Sequence, residues 1–352
     1  MRGISGVYQA AHPFQISQKG AENALIRYVI KRLLFVIPVL FGVLILVFTI
    51  SYFTPGDPVL SKLGTEYTQE AYDNMAEQMG LDKGYFGQIG TYIWNLVSRF
   101  DMGKSYSTSI PVSKEISARL PITFRLGMMG LSIGILLGIP LGVLSAVRQY
   151  SVLDVSLTAL ALLLAAIPGF VLAILMLLYF GVNLKLLPIS GLDSFKGWIL
   201  PVASSALGGM AMMMRMTRTT MLEVIRQDYI RTARAKGLKE GVILRRHALT
   251  NCLIPLITVI GGVTAVTLSG SVIVETIFSV PGIGLYMMNA ISSRDYPVIN
   301  GVVLMIAVIV CFVNLLVDVM YAFIDPRIKA HYTTQKKVKA LKELIEAGEE
   351  AS

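Results

Sequence analysis

Polar and apolar positions fall in long separate blocks along this chain. Uncharged, strongly apolar runs lie between Arg32 and Asp57, Arg125 and Arg148, Asp154 and Lys185, Lys196 and Arg215, His247 and Glu275, and Asp295 and Asp318. Each is near or above the roughly 20 residues a helix needs to cross the hydrocarbon of a bilayer. The fourth is the shortest and carries Pro201 near its start. None shows the alternation of a barrel strand, and backbone groups in lipid must pair within their own segment, so the pattern predicts six membrane-spanning helices. The first run lies behind a polar stretch and is followed by "TPGDP" rather than a small-residue cleavage site, so it reads as a retained span and not a signal peptide.

Composition agrees. A mean hydropathy of +0.66 with 15% charged residues in 352 places the chain among integral membrane proteins. The net charge of +9 belongs to the loops. Of the lysines and arginines, 21 fall on one side of the six spans and nine on the other, with Arg125 at a boundary. The richer side is expected to be cytoplasmic. Membrane lipid, not nucleic acid, is the partner this distribution implies. The expected organisation is a cytoplasmic segment (1–27), a first span (28–53), an extracytoplasmic segment (54–120), a core of five spans (121–325) with a cytoplasmic loop at 215–253, and a cytoplasmic tail (326–352). Cys252 and Cys311 lie at or inside apolar runs and suggest neither a disulfide framework nor a metal site.

The large basic loop contains "DYIRTARAKGL", Asp228 to Leu238. Nine lysines and arginines between Arg215 and Arg246, at about 2.5 to 3.5 kcal/mol each in mid-membrane, keep it out of lipid. Met221, Leu222, Ile225 and Tyr229 recur at helical spacing and predict a short amphipathic helix running on from the fourth span. Lys236, Gly237 and Leu238 form a helix stop, and a second helix is expected from Val242. Ala233, Ala235 and Gly237 leave little bulk near the corner, as suits an elbow gripped by a cytosolic protein. On pattern alone, a solvated basic loop touching lipid headgroups fits as well.

The residues resemble the inner-membrane permease subunits of ATP-binding-cassette importers, in the oligopeptide, dipeptide and nickel branch. The general signature of such importers is Glu-Ala-Ala, three residues, then Gly, with Pro later. Ala233 and Gly237 match it, Arg231 and Thr232 stand in the first two positions, and Pro255 lies farther along. The stretch "DYIRTARAKGL…RHALTNCLIP" is similar to the peptide branch's own form. Further matches follow in order: "KRLLFVIPVLFGV", "PGDP" (Pro55 to Pro58), "LPITFRLG" (Leu120 to Gly127), "VETIFSVPGIG" (Val274 to Gly284), "RDYPVI" (Arg294 to Ile299) and "DPRI" (Asp325 to Ile328). The resemblance runs from about Arg27 to Ile328.

It implies an all-α membrane protein with the six-helix fold of type I importer permeases and an extracytoplasmic segment between the first two spans. It implies a transport subunit with no catalytic residues and no cofactor of its own, ATP and Mg being held by two partner ATPase chains. A second homologous permease and an extracytoplasmic binding protein complete the set, in a bacterial or archaeal inner membrane with both termini cytoplasmic. Short peptides are the implied substrate, with nickel or a metal chelate as the alternative. The elbow would seat in a groove of the ATPase, with Ala233, Gly237 and Leu238 in close contact and Asp228, Arg231 and Arg234 as polar contacts at its edges. The tail "KKVKALKELIEAGEE" and the polar start lie outside the resemblance.

Other chemistry is poorly served. "SRFDMGKS" (Ser98 to Ser105) ends like a phosphate-binding loop but lacks its first glycine and a preceding strand. The three histidines, His12, His247 and His331, are not spaced for a metal. A stand-alone proton-coupled transporter is the rival of another class, since Glu275 and Asp318 end apolar runs, where acids can relay protons; structural roles near the membrane surface are the other reading. The methionines of "MAMMMRM" (Met210 to Met216) suit either an adaptable path lining or simple packing. Aromatic residues between Thr68 and Phe100 suit either docking of a binding protein or a membrane-surface helix.

Overall fold

The computed structural model describes residues 18–64, 66–268 and 272–324, with side chains at all of these except 18–28, 254 and 321–324. "DPRI" and the basic tail lie outside the described residues, as does the polar start up to residue 17. Contacts divide the chain into residues 37–317 and a second unit made from its two ends, up to Val36 and from Asp318 on. Within that second unit Arg32 Nη1 lies 3.0 Å from Asp318 Oδ2, so this acid near a span's end has a salt-bridge partner.

Apolar blocks of this length fold as helices because nothing else satisfies their backbone in lipid. Helix α1 (Gln18–Phe53) is followed by three shorter ones, α2 (Pro58–Leu63), α3 (Gln69–Met79) and α4 (Tyr85–Arg99). The stretch from Thr68 to Phe100 is therefore two helices, divided where Gly80 takes a left-handed conformation (φ 68°) at the end of α3. Next come α5 (Val112–Val147), α6 (Val152–Ala166), α7 (Gly169–Met176), a widened turn at Leu177–Asn183, and α8 (Phe195–Ile225). The remainder is α9 (Asp228–Ala235), α10 (Glu240–Val242), a second widened turn at Ile243–Leu249, α11 (Thr250–Leu268), α12 (Val272–Ile277), α13 (Ile283–Ser293) and α14 (Tyr296–Ile324).

The stretches Val29–Phe53, Val112–Val147, Phe195–Ile225, Pro255–Ile277 and Tyr296–Met320 are each long and apolar enough to cross a membrane. The third expected span is instead a bent pair, Val152–Ala166 and Gly169–Asn183, meeting at 100°. Its cause is local. Pro168 forces the residue before it out of the helical region, and Ile167 sits at φ −85°, ψ 125°. Counting that pair as one span gives the six that the pattern predicts.

Helices in lipid gain little from apolar burial, so close packing decides which ones associate. On α5, Gly127, Gly130, Gly134, Gly138 and Gly142 recur every three or four residues and share a face. Four of them lie directly on α8: a Cβ at Gly138 would sit 2.8 Å from the Met210 carbonyl oxygen, and one at Gly142 would sit 2.5 Å from that of Met214. The stripe thus lets two spans meet backbone to backbone along several turns. Met213 and Met214 are buried in the same region, so packing accounts for these two methionines, while Met212 is exposed.

A second tie crosses the same helices at their carboxyl ends. Asp154, 2% exposed, accepts two bonds from Arg218 of α8, at 2.7 and 2.9 Å, and one from the Tyr150 amide at 3.0 Å. Ser145 of α5 donates to the same carboxylate. Three spans are pinned together just before the basic loop begins.

Two predictions follow from these ties. Gly138→Leu drives a side chain into the α8 backbone and lowers the melting temperature and yield of the inserted chain, whereas Gly208→Ala, which meets nothing within 4 Å, does not lower them; thermal melts in detergent compare the two. Asp154→Asn strands the Arg218 charge and costs about 3 kcal/mol, and replacing both partners (Asp154→Leu with Arg218→Met) recovers most of that loss in the same melt.

Candidate functional site

The basic loop folds as a hinge of short helices. Helix α8 does not run on through Tyr229: it ends at Ile225, and Gln227 turns to an extended conformation (φ −71°, ψ 150°) before α9 begins. Packing explains the break. Turning there allows Ile230 of α9, fully buried, to join Met221 of α8 in one cluster with Ala146, Ile243, Ala248, Cys252 and Leu256. A continuous helix would carry Ile230 away from that cluster.

The far end of α9 is the expected stop. Gly237 is left-handed (φ 75°), its amide bonding to the Arg234 carbonyl at 2.9 Å while the Leu238 amide reaches that of Ala233 at 3.4 Å. These are the two bonds of a Schellman cap, which favours glycine at this position. No other part of the described chain lies within 4 Å of a Cβ placed there, so the corner stands free.

The six candidate residues separate into two groups. Ala233 shares the buried cluster with Ile230 and Met221 and faces its own protein; its small side chain seats α9 on the spans and is not offered outward. Asp228, Arg231, Arg234, Gly237 and Leu238 are exposed. The Asp228 and Arg231 side chains are 96% and 73% exposed and 3.6 Å apart, a pair that surface screening leaves with little energy. Arg234 Nε lies 2.6 Å from Glu240 Oε1, closing the corner across Gly237. Glu240 was not among the expected residues; its place just beyond the glycine stop, six residues after an arginine, is the only signal that marked it. Tyr229, 45% exposed, extends the outer face.

The opposite end of the spans carries a second polar framework built from the other quoted motifs. Buried Glu275 accepts bonds from the Thr123 hydroxyl at 2.7 Å and from the amides of Gly284 and Leu285 at 2.7 and 3.1 Å. It caps the start of α13, whose unpaired amides favour an anion. A Cβ on Gly282 would come within 2.4 Å of both Glu275 Oε2 and Thr123 Oγ1, so glycine is required there. "LPITF" and "VETIFSVPGIG" are thus halves of one joint.

Asp295 does the same for the turn at 103–109: it accepts from the Ser105 hydroxyl at 2.5 Å and from the amides of Tyr106 and Ser107 at 3.0 and 3.1 Å. The stretch that ends like a phosphate loop (Ser98 to Ser105) therefore runs from the end of α4 into this turn, where its Ser105 hydroxyl is already held by an aspartate of this chain. Asp57 of "PGDP" caps α2 and accepts from the Tyr72 hydroxyl at 2.6 Å. That bond, with burial, raises the tyrosine's pKa above its ordinary value.

Among the described residues no group of His, Cys, Asp and Glu is placed to hold a metal.

Comparison with known proteins bears on this arrangement as a whole. Residues 138–330 match the family described as binding-protein-dependent transport system inner membrane component, and residues 25–127 match the N-terminal component of the same systems. The chain is 40% identical over 312 residues to a putative peptide transport system permease protein of Brucella suis, covering 86% of this chain and 98% of that one. It is 39% identical over 306 residues to the dipeptide transport system permease protein DppB of Bacillus subtilis (87% and 98% covered). It is 35% identical over 337 residues to DppB of Escherichia coli (87% and 99% covered). Among solved structures, an inward-facing methionine ABC transporter, MetNI, is similar in fold, with a TM-score of 0.52 at 19% identity, over 60% of this chain and 96% of that one. By both matched segments and by relatives at this identity and coverage, the chain belongs to the family of inner membrane components of binding-protein-dependent transport systems.

Proposed function

We propose that this chain is the permease subunit of an ATP-driven importer of short peptides, with α9 as the element that receives force from an ATPase. One observation carries the coupling role: α9 and the cap that ends it present exposed Asp228, Arg231, Arg234, Gly237 and Leu238, while Ile230 and Ala233 lock α9 into a cluster shared by α5, α8 and α11. A push on α9 therefore reaches the ends of three spans at once. The Asp154–Arg218 pair extends that displacement to α6. The names of the relatives support peptides over nickel or a metal chelate as cargo.

In this reading the lysine- and arginine-rich side, with α9 and both termini, is cytoplasmic. The segment 54–120 is extracytoplasmic and meets a binding protein. A second homologous permease supplies the other half of the path, and two ATPase chains hold ATP and Mg. ATP binding draws the paired elbows together and the spans rock from inward- to outward-facing. The joint formed by Glu275 and Thr123 and the one formed by Asp295 and the 103–109 turn keep the outer ends of the spans rigid during that motion.

Uptake by the reconstituted importer tests the elbow. Gly237→Arg places a long, charged side chain on the free corner and abolishes ATP-driven peptide uptake, while the chain inserts at wild-type level. Gly237→Asn, which tolerates the left-handed conformation, retains most of the activity and separates bulk from backbone strain. Normal uptake by the arginine variant would remove α9 from the coupling path.

A further inference from the structure

A cleft of about 820 Å³ lies among the end of α1, helices α3 and α4, the 103–109 turn and the start of α14, all within residues 37–317. That volume is in the range of small-molecule sites. Its spare hydrogen-bonding capacity is unevenly distributed. Both Asp57 oxygens are engaged, by the Val59 amide and by Tyr72, and the Asn300 side-chain oxygen accepts from Ser51. The hydroxyls of Tyr92 and Tyr296, which also line the cleft, are enclosed and have no partner among the described residues. Lys62, Lys83 and Lys104 stand on its wall with no ion pair among the described residues, and Glu77 lines it beside Asp57.

An enclosed hydroxyl without a partner costs stability, and such groups call for an explanation in a native structure. Burial pushes the Tyr92 phenol up to about 12, so it remains a donor at physiological pH. Two phenolic donors and three ammonium groups suit a carboxylate, and Glu77, the lining acid whose carboxylate has no hydrogen bond among the described residues, suits an ammonium group. We propose that this cleft binds a short peptide with free termini, its carboxylate held by Tyr92, Tyr296 and the lysines and its amino group by Glu77. The site rests on the peptide reading above and adds to it a holding point on the permease itself.

A zwitterionic lipid headgroup shares this chemistry, and the geometry argues against it. On the α1 side the cleft is closed by buried Phe48, whose ring packs on Tyr85 and Tyr92 at centroid distances of 6.1 and 5.8 Å. Acyl chains would have to pass those rings.

The experiment uses the full chain in nanodiscs, without binding protein or ATPase, and radiolabelled trialanine as the probe. Saturable binding is expected, weakened at least tenfold for N-acetyl-trialanine amide. The double variant Tyr92→Phe with Tyr296→Phe is expected to lose affinity at least tenfold while melting no lower than the wild type, since it removes two unpartnered hydroxyls; a purely structural role for them predicts a lower melting temperature. Absence of saturable binding, equal binding of the blocked peptide, unchanged affinity in the double variant, or displacement by glycerophosphoethanolamine but not by unlabelled trialanine each overturns the site. Uptake of trialanine by the complete importer without binding to this cleft defeats the cleft and leaves the transport reading standing. Binding without uptake supports the cleft and defeats the transport reading.

Discussion

The approach of α5 to α8 is the constraint on which the other features depend. Lipid offers these helices little hydrophobic incentive to associate, so the glycines from Gly130 to Gly142 make the contact possible by leaving no side chain of α5 between the two backbones at those positions. Once the two spans run together, Ser145 and Arg218 arrive at one end beside Asp154, and Ala146 and Met221 arrive beside Ile230. The elbow is firm because the two helices beneath it are fixed to each other first.

At the other end, rigidity is obtained by different means. Here two buried carboxylates hold backbone amides: Glu275 those of α13 and Asp295 those of a turn. Both acids are buried with several donors each, which is the condition under which a buried carboxylate stabilises instead of costing. The family motifs thereby acquire a common meaning. "LPITF" meets "VETIFSVPGIG", and "RDYP" meets the 103–109 turn, while Gly56 of "PGDP" leaves room for the Arg294 side chain, which a Cβ there would approach to 2.2 Å. Residues far apart in sequence are held as pairs, and each phrase makes sense only beside its partner.

Much of the architecture was legible because the bilayer limits the choices. Long uncharged runs of about 20 residues admit one backbone solution, and Gly237 after Lys236 marks a helix end by a rule that needs no tertiary contact. What escaped the sequence required a partner from elsewhere in the chain. Nothing local says that Asp154 meets Arg218, 64 residues on, or that α8 stops at Ile225 so that Ile230 can turn inward. The same holds for Ala233, whose small side chain suited an outward contact as well as an inward one until Met221 and Ile243 were placed beside it. The bend before Pro168 was readable in principle, since the residue before a proline resists the helical region; the unbroken apolar run concealed it.

These two ends make different mechanical demands, and the choice of interaction follows them. On the coupling role proposed for α9, force would travel as a displacement of whole helices, for which a close-packed cluster such as that around Ile230 is well suited because packed interiors shift as units and do not deform continuously. In the same proposal the joints at the opposite end would hold their geometry while the helices tilt. Directional hydrogen bonds from Glu275 and Asp295 to backbone amides do that, since a small rotation would break several at once.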